Sequence, residues 1–338
     1  MPSNNLVIIT PALSGGGIEK STPILIEALS NITKSPVIWI GINESTFEGT
    51  LPQTTVICAG RQSKDGVLAT IQSLLRISRH ISKVRDPLLL INGEVAELFA
   101  AFFVWNSKMI CVEHASQPWI RSRILGRVVR FVLKIRSVCW VTVNSQQGSI
   151  WPYETSFSYI PNPINPTQPN STDEGYGLIH IGRLTEAKSV DVACRAALQT
   201  HLRLDIYGDG ELSKALKEEF LGHGDIHFHG YVDEVWSSLG ANRVLISSSL
   251  HEGDGRNIAE AVIRSQPLLL SDTPDHRRFN LPETNYFRSL DELVKKLDKH
   301  KSQSLHGLRP SARLAQAERE NRDPSKIASL WKQLIDRL

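Results

Sequence analysis

Short aliphatic and β-branched runs alternate with stretches of helical period along almost the whole chain, and this alternation restricts the fold more than any other feature. In the first half, residues 6–9, 37–42, 55–58, 88–91, 109–112 and 138–143 read as strands, with helices over 19–29, 65–83 and 94–105. Runs this short and this continuously apolar fit strands buried on both faces of a parallel sheet, each followed by a helix that crosses back over it. At 161–166 the alternation stops, because Pro-Asn-Pro-Ile-Asn-Pro can continue neither a helix nor a central strand, and the chain runs on into polar residues. It restarts with strands over 177–181, 202–207, 226–228, 244–246 and 267–270 and helices over 190–198, 212–220 and 235–239. The expected class is α/β, with two doubly wound, Rossmann-like parallel sheets facing a cleft. The first domain is expected over residues 1–165 and the second over 166–322. Residues 289–299, 309–322 and 324–338 read as helices, and Ile327, Leu330, Trp331, Leu334 and Ile335 give the last an apolar stripe. That final helix, placed at 323–338, is expected to pack back on the first domain.

A chain of 338 residues is long enough for two such domains, each with its own core. A net charge of +3 gives no case for nucleic acid as a partner. The four cysteines, Cys58, Cys111, Cys139 and Cys194, are far apart in sequence and sit mostly in apolar runs, so they read as reduced core residues of a cytoplasmic protein. The first apolar run has no basic region ahead of it and reads as a strand, and no stretch reaches the ~20 apolar residues that span a bilayer. The expectation is a cytoplasmic protein, soluble or peripheral on the inner face of a membrane.

The richest chemistry lies in residues 244–274: strand, Glu252-Gly253-Asp254-Gly255, a helix starting near Arg256 or Asn257, then strand. A glycine loop feeding a helix presents unpaired N–H groups and the positive end of the helix dipole, which suits a phosphate or diphosphate. Glu252 before the loop and Glu260 about one turn into the helix can flank the pocket. Carboxylates do not hold phosphate but accept hydrogen bonds from sugar hydroxyls, so the combination suits a nucleotide-sugar. In the first half, Gly15-Gly16-Gly17 after the first strand allows a close backbone approach to a ligand, and His114 follows a strand at the carboxyl edge of the sheet, where ligands bind in such folds.

Residues 120–136 interleave Arg121, Arg123, Arg127, Arg130, Lys134 and Arg136 with apolar residues that include Ile124, Leu125, Val128, Val129, Phe131, Val132 and Leu133. Such a helix either packs on the sheet with a solvated basic face or lies on an anionic membrane surface, with Arg121, Arg123, Arg127 and Arg130 toward the lipid and Trp119 and Trp140 near its ends.

Taken in order, Gly16-Gly17-Ile18-Glu19, His114 after a strand, Ile160-Pro161-Asn162, Gly182-Arg183-Leu184 with Lys188, Gly208-Asp209-Gly210 and Glu252-x7-Glu260 resemble the retaining GT-B glycosyltransferases of family four. The resemblance covers nearly the whole chain, and its most specific part is the E-x7-E block with the strand after it. It implies a nucleotide-sugar donor, a UDP-sugar ahead of a GDP-sugar, held mainly by the second domain, and a glycan or lipid-linked acceptor held mainly by the first. No metal or other cofactor is implied. Catalytic roles fall to Glu252, His114, Arg183 and Lys188, with Arg183 and Lys188 on the diphosphate and His114 on the transferred sugar. Gly16, Gly17, Gly208, Gly255, Arg256, Asn257 and Glu260 would line the nucleotide-sugar, Glu260 at the ribose hydroxyls. Asp254 departs from the family, which commonly has an aromatic or aliphatic residue there, and Arg256 is the expected counter-charge. Two other readings use the same residues: a nucleotide-sugar epimerase, and a catalytically silent partner subunit that would be expected to have lost Glu252, Arg183 or Lys188.

Overall fold

The computed structural model describes residues 5–33, 36–62, 66–105, 107–115, 118–119, 122–145, 157–165, 175–301 and 305–338. It divides into two compact units, Met1–Asn165 with Arg322–Leu338, and Pro166–Asn321.

Unit 1 is built on seven parallel strands in the order β3-β2-β1-β4-β5-β6-β7. They are β1 (Asn5–Thr10), β2 (Val37–Asn43), β3 (Thr54–Arg61), β4 (Pro87–Asn92), β5 (Lys108–Glu113), β6 (Cys139–Thr142) and β7 (Ser158–Tyr159). The helices α1 (Gly17–Thr33), α2 (Val67–Ile81), α3 (Glu94–Phe103) and α4 (Arg123–Ile135) connect them. The continuously apolar strands are the central ones: Val7, Ile9, Leu89 and Ile91 face one layer of core, and Ile8, Leu88, Leu90 and Ile110 the other. β3, at the edge, is buried only at Ala59, and its Cys58 is exposed. Cys111 and Cys194 are buried as expected, Cys139 is half-buried, and all four thiols are free.

Unit 2 repeats the scheme with six strands in the order β10-β9-β8-β11-β12-β13, again all parallel. These are β8 (Gly177–Ile181), β9 (Leu204–Tyr207), β10 (Ile226–Gly230), β11 (Arg243–Ser247), β12 (Leu268–Ser271) and β13 (Tyr286–Phe287). Its helices are α5 (Val190–Thr200), α6 (Ser213–Glu219), α7 (Val235–Ser238), α8 (Arg256–Ile263), α9 (Pro274–Arg277), α10 (Leu290–Lys301) and α11 (Ala312–Asn321). β13 and α9 are additions to the elements read from the sequence, because two and four residues are too few to show a period.

The last helix, α12 (Pro324–Ile335), belongs to unit 1. The Asp323 carboxylate accepts from the Lys326 N–H at 3.0 Å and Pro324 opens the first turn, so its start is fixed by a cap. Ile327, Ala328 and Trp331 then pack in the same core as Leu25 and Leu29 of α1. The return is pinned where Ile164 N–H donates to the Arg322 carbonyl at 3.0 Å and Arg322 Nη1 donates to the Asn162 carbonyl at 3.2 Å.

α4 corrects two expectations. Its inner face is Gly126, Val129, Arg130 and Leu133, so Arg130, assigned above to a lipid surface, is buried with only 4% of its surface exposed. Its guanidinium binds Glu97 in a fork, Nε–Oε2 3.1 Å and Nη2–Oε1 3.0 Å, and reaches Glu113 Oε2 at 2.5 Å. Trp119 and Trp140 are likewise buried, Trp119 donating its ring N–H to Glu97 Oε2 at 2.8 Å, so neither is an interfacial anchor. A cation buried among two carboxylates costs less than a lone one, and it outcompetes solvation here. Arg121 lies outside the described residues.

Candidate functional site

In sheets of this order, ligands bind outside the carboxyl ends of the strands where the connections reverse direction. In unit 2 that place lies between β8 and β11, the two strands whose following loops carry Gly182 to Lys188 and Ser248 to Gly255.

The two loops are tied together by their own polar groups. The Ser248 hydroxyl donates to the carbonyls of Lys188 and Ser189, at 3.1 and 2.6 Å, and Leu250 N–H donates to the Ala187 carbonyl at 2.9 Å. This brings Lys188 Nζ to 2.5 Å from Glu252 Oε1. Glu252 is buried, its backbone N–H donates to Asp275 Oδ2 at 2.9 Å, and Ser249 Oγ donates to its Oε1 at 2.8 Å. Burial alone would raise this carboxyl. The Lys188 ammonium, ahead of His276 and the hydrogen bonds from Lys188 and Ser249, overcomes that and holds it at about 2, so Glu252 is an anion at every pH of interest.

Beneath Glu252 lies a second layer that sequence reasoning missed. His276, fully buried on α9, has Nδ1 2.7 Å from the Ser271 carbonyl, which makes that nitrogen the donor. Burial lowers its pKa, and its Nε2 lies 3.3 Å from Ser247 Oγ. Ser247 stands 3.3 Å from Ser249, which holds Glu252. The sequence marks this layer only by the run of three serines, Ser247 to Ser249, at the end of β11. His180 on β8 is also buried, and burial followed by the nearby Lys188 lowers its pKa to about 4.

The other assigned residues fall around this pair. Arg183 is exposed, and its guanidinium makes no hydrogen bond or ion pair among the described residues. Gly255, in the left-handed region at φ 56°, caps α8, whose first N–H groups have no acceptor within the helix. Asn257 follows it, but its side chain donates to the Ile181 carbonyl at 2.6 Å and joins α8 to the end of β8. Arg256 Nε lies 2.9 Å from Glu260 Oε1, and the other Glu260 oxygen accepts from Trp236 Nε1 at 2.8 Å. Glu260 is therefore fixed in orientation before any ligand arrives. Gly208 has a structural reason to be glycine, since a Cβ there would sit 1.9 Å from the Gly182 carbonyl oxygen.

Gly16, Gly17 and His114 belong to unit 1. Gly16 and Gly17 follow β1 at the start of α1, and His114 follows β5, its Nε2 2.8 Å from Asn92 Oδ1. A small cavity there is lined by His114, Asn92, Ser21, Thr22, Asn162 and Trp331, so α12 helps to shape it.

Residues 175–295 match the family model described as glycosyl transferases group 1. No curated protein matches the chain in sequence. Among solved structures, HepE of Anabaena in complex with UDP and glucose superposes with a TM-score of 0.79 at 13% identity, covering 99% of this chain and 100% of that one. Sucrose-phosphate synthase of Thermosynechococcus elongatus gives 0.79 at 15% identity, covering 99% and 98%. WaaG, a glycosyltransferase involved in lipopolysaccharide biosynthesis, gives 0.68 at 15% identity, covering 98% of each chain. The fold is therefore that of the GT-B glycosyltransferases, two Rossmann-like parallel-sheet domains, and the group 1 domain coincides with most of unit 2.

Proposed function

We propose that the chain is a retaining glycosyltransferase that moves a sugar from a UDP-sugar to a glycan or lipid-linked acceptor in cell-surface polysaccharide or glycolipid assembly. The observation that carries this reading is the pairing of a buried, ionised Glu252 with Lys188 at the β8–β11 switch, beside an exposed Arg183 that has no acidic partner among the described residues and beside the N-terminus of α8. Cations and helix amides suit a diphosphate, and an anion held below them suits sugar hydroxyls. The group 1 match over the same residues, and HepE complexes that contain UDP or UDP-glucose, support the donor class.

In this reading the bond from the anomeric carbon to the diphosphate breaks while the acceptor oxygen bonds to that carbon on the same face. The acceptor proton passes to the departing diphosphate oxygen. Charge on that oxygen grows toward the transition state, so Arg183, Lys188 and the α8 amides act mainly on kcat. Glu260, preset by Arg256 and Trp236, takes the ribose hydroxyls, and His114 the transferred sugar. Glu252 has no covalent role.

The test is incubation with UDP-sugars and GDP-sugars, with and without soluble and lipid-linked acceptors, following release of nucleotide and the anomeric configuration of the product. Acceptor-dependent release of UDP with retained configuration is expected. Interconversion of UDP-sugars without an acceptor would make the protein an epimerase, and an inverted product would remove the retaining mechanism.

A further inference from the structure

Among the described residues the outer face of α4 has no partner within unit 1, and it is not built for water. Ile124 is 80% exposed, Ile135 67%, Phe131 54%, Val128 48% and Leu125 42%. On a helix of 3.6 residues per turn, Ile124, Val128, Phe131 and Ile135 form one continuous stripe, opposite the buried Gly126, Val129 and Leu133. A helix that packs on a core needs one apolar face, and α4 has two. Arg123, Arg127 and Lys134, all exposed, fall along one flank of the outer stripe. Trp105, 71% exposed, stands by the helix end with the Arg136 guanidinium 5.5 Å from its ring centre.

We propose that this face docks into the interfacial layer of an anionic phospholipid bilayer, the stripe entering the acyl boundary and the cations meeting the headgroups. The expectation from sequence was an electrostatic contact through arginines that included Arg130; the structure withdraws Arg130 into the core and puts hydrophobic side chains in its place. Charge complementarity selects the occupant. From His114 to Tyr153 the sequence has six arginines or lysines and no aspartate or glutamate. An anionic surface is favoured by such a segment, whereas a second copy would bring two cationic flanks together across the stripe. Side chains of this kind, apolar on one face and cationic at its border, are the mark of a helix lying in the plane of a membrane interface.

The experiment is sedimentation of the full-length protein with phosphatidylcholine vesicles, with and without phosphatidylglycerol, at low and high salt. Two variants accompany it, Ile124→Ser/Phe131→Ser and Arg123→Gln/Arg127→Gln/Lys134→Gln, all at exposed positions, with thermal melting to confirm an unchanged fold. Wild type should bind vesicles containing phosphatidylglycerol and keep part of that binding at high salt, because burial of the stripe is not screened. The apolar variant should bind roughly tenfold more weakly at both salt concentrations, and the charge variant should lose only its preference for phosphatidylglycerol. No wild-type binding at low salt, or equal binding by wild type and the apolar variant, would overturn the proposal. So would a wild-type dimer that the apolar variant dissolves in protein that ignores vesicles, since a second copy would then cover the stripe. None of these outcomes depends on the donor assigned to unit 2.

Discussion

Each unit buries one carboxylate close behind a parallel strand, and the two have opposite character. Glu113, the last residue of β5, and Glu252, in the loop after β11, are 4% and 5% exposed, and each touches a cation at 2.5 Å. Burial raises both. Glu113 ends at about 7 because Arg130 must serve Glu97 as well, so two carboxylates share one guanidinium. Glu252 ends at about 2 because Lys188 pairs with no second carboxylate among the described residues, and His276 and the Ser249 hydroxyl add to its pull. Depth is therefore the same in the two cases, and the ratio of donors to carboxylates decides the charge. A shared cation builds a neutral, fold-holding knot in unit 1; a dedicated one keeps an anion in the unit 2 site.

Removing the dedicated cation should have the largest effect. Lys188→Ala is expected to lower transfer by about 10²- to 10³-fold and, by leaving Glu252 buried without its partner, to destabilise the fold by about 3–5 kcal/mol. Adding Glu252→Gln should recover most of the melting temperature and none of the turnover. A single variant that melts as wild type does would remove Lys188 from the account of Glu252. Arg183→Ala separates the two effects, because its guanidinium is exposed. Transfer should fall by a comparable factor, about 3–4 kcal/mol in the barrier, with the melt unchanged.

The shared cation is tested by pH. Glu113 takes up a proton in the folded protein that the unfolded chain releases near 4.5, so its contribution to stability is complete below 4.5, declines as pH climbs and is gone above about 7. For Glu252 the sign reverses: its contribution is present above 4.5 and disappears as pH falls through about 2. Between pH 5 and pH 8 the melting temperature of wild type should fall by roughly 3 °C or more from this source, and Glu113→Gln should flatten the slope. Glu97→Gln, which leaves Arg130 to Glu113 alone, should flatten it too. A slope that survives both variants would show that another group titrates. The smallest effect belongs to Ser249→Ala, which removes one hydrogen bond to a carboxylate that keeps its lysine. About 1–2 kcal/mol of stability and a few-fold loss of turnover are expected, read by melting and by steady-state kinetics.

The same contrast separates what the sequence could reveal from what it could not. Strands such as β1 and β4 were legible because burial on both faces leaves a continuous apolar run, and the loops were legible because glycine and helix starts are local signals. Glu252, Lys188 and Arg183 could be named from their spacing along the chain, but the 2.5 Å pairing of two of them spans sixty-four positions and carries no local mark. His276 and Asp275 were invisible for the same reason: α9 is four residues long, and its value lies in what it touches beneath Glu252. Arg130 was misassigned because a helical period reports which residues share a face, and a cation on the border between faces goes wherever its acids are. Glu97 and Glu113 lie thirty-three and seventeen positions away.

The central claim is that unit 2 holds a UDP-sugar through its diphosphate and ribose, and titration calorimetry with UDP tests it most directly. Wild type should bind UDP more tightly than GDP. Arg183→Ala and Glu260→Ala should each weaken UDP binding, and Ser249→Ala should leave it unchanged, because the Ser249 hydroxyl supports the carboxylate of Glu252 and none of the groups assigned to the nucleotide. Absence of UDP binding by the folded wild-type protein, or UDP affinity equal in wild type, Arg183→Ala and Glu260→Ala, would contradict the account.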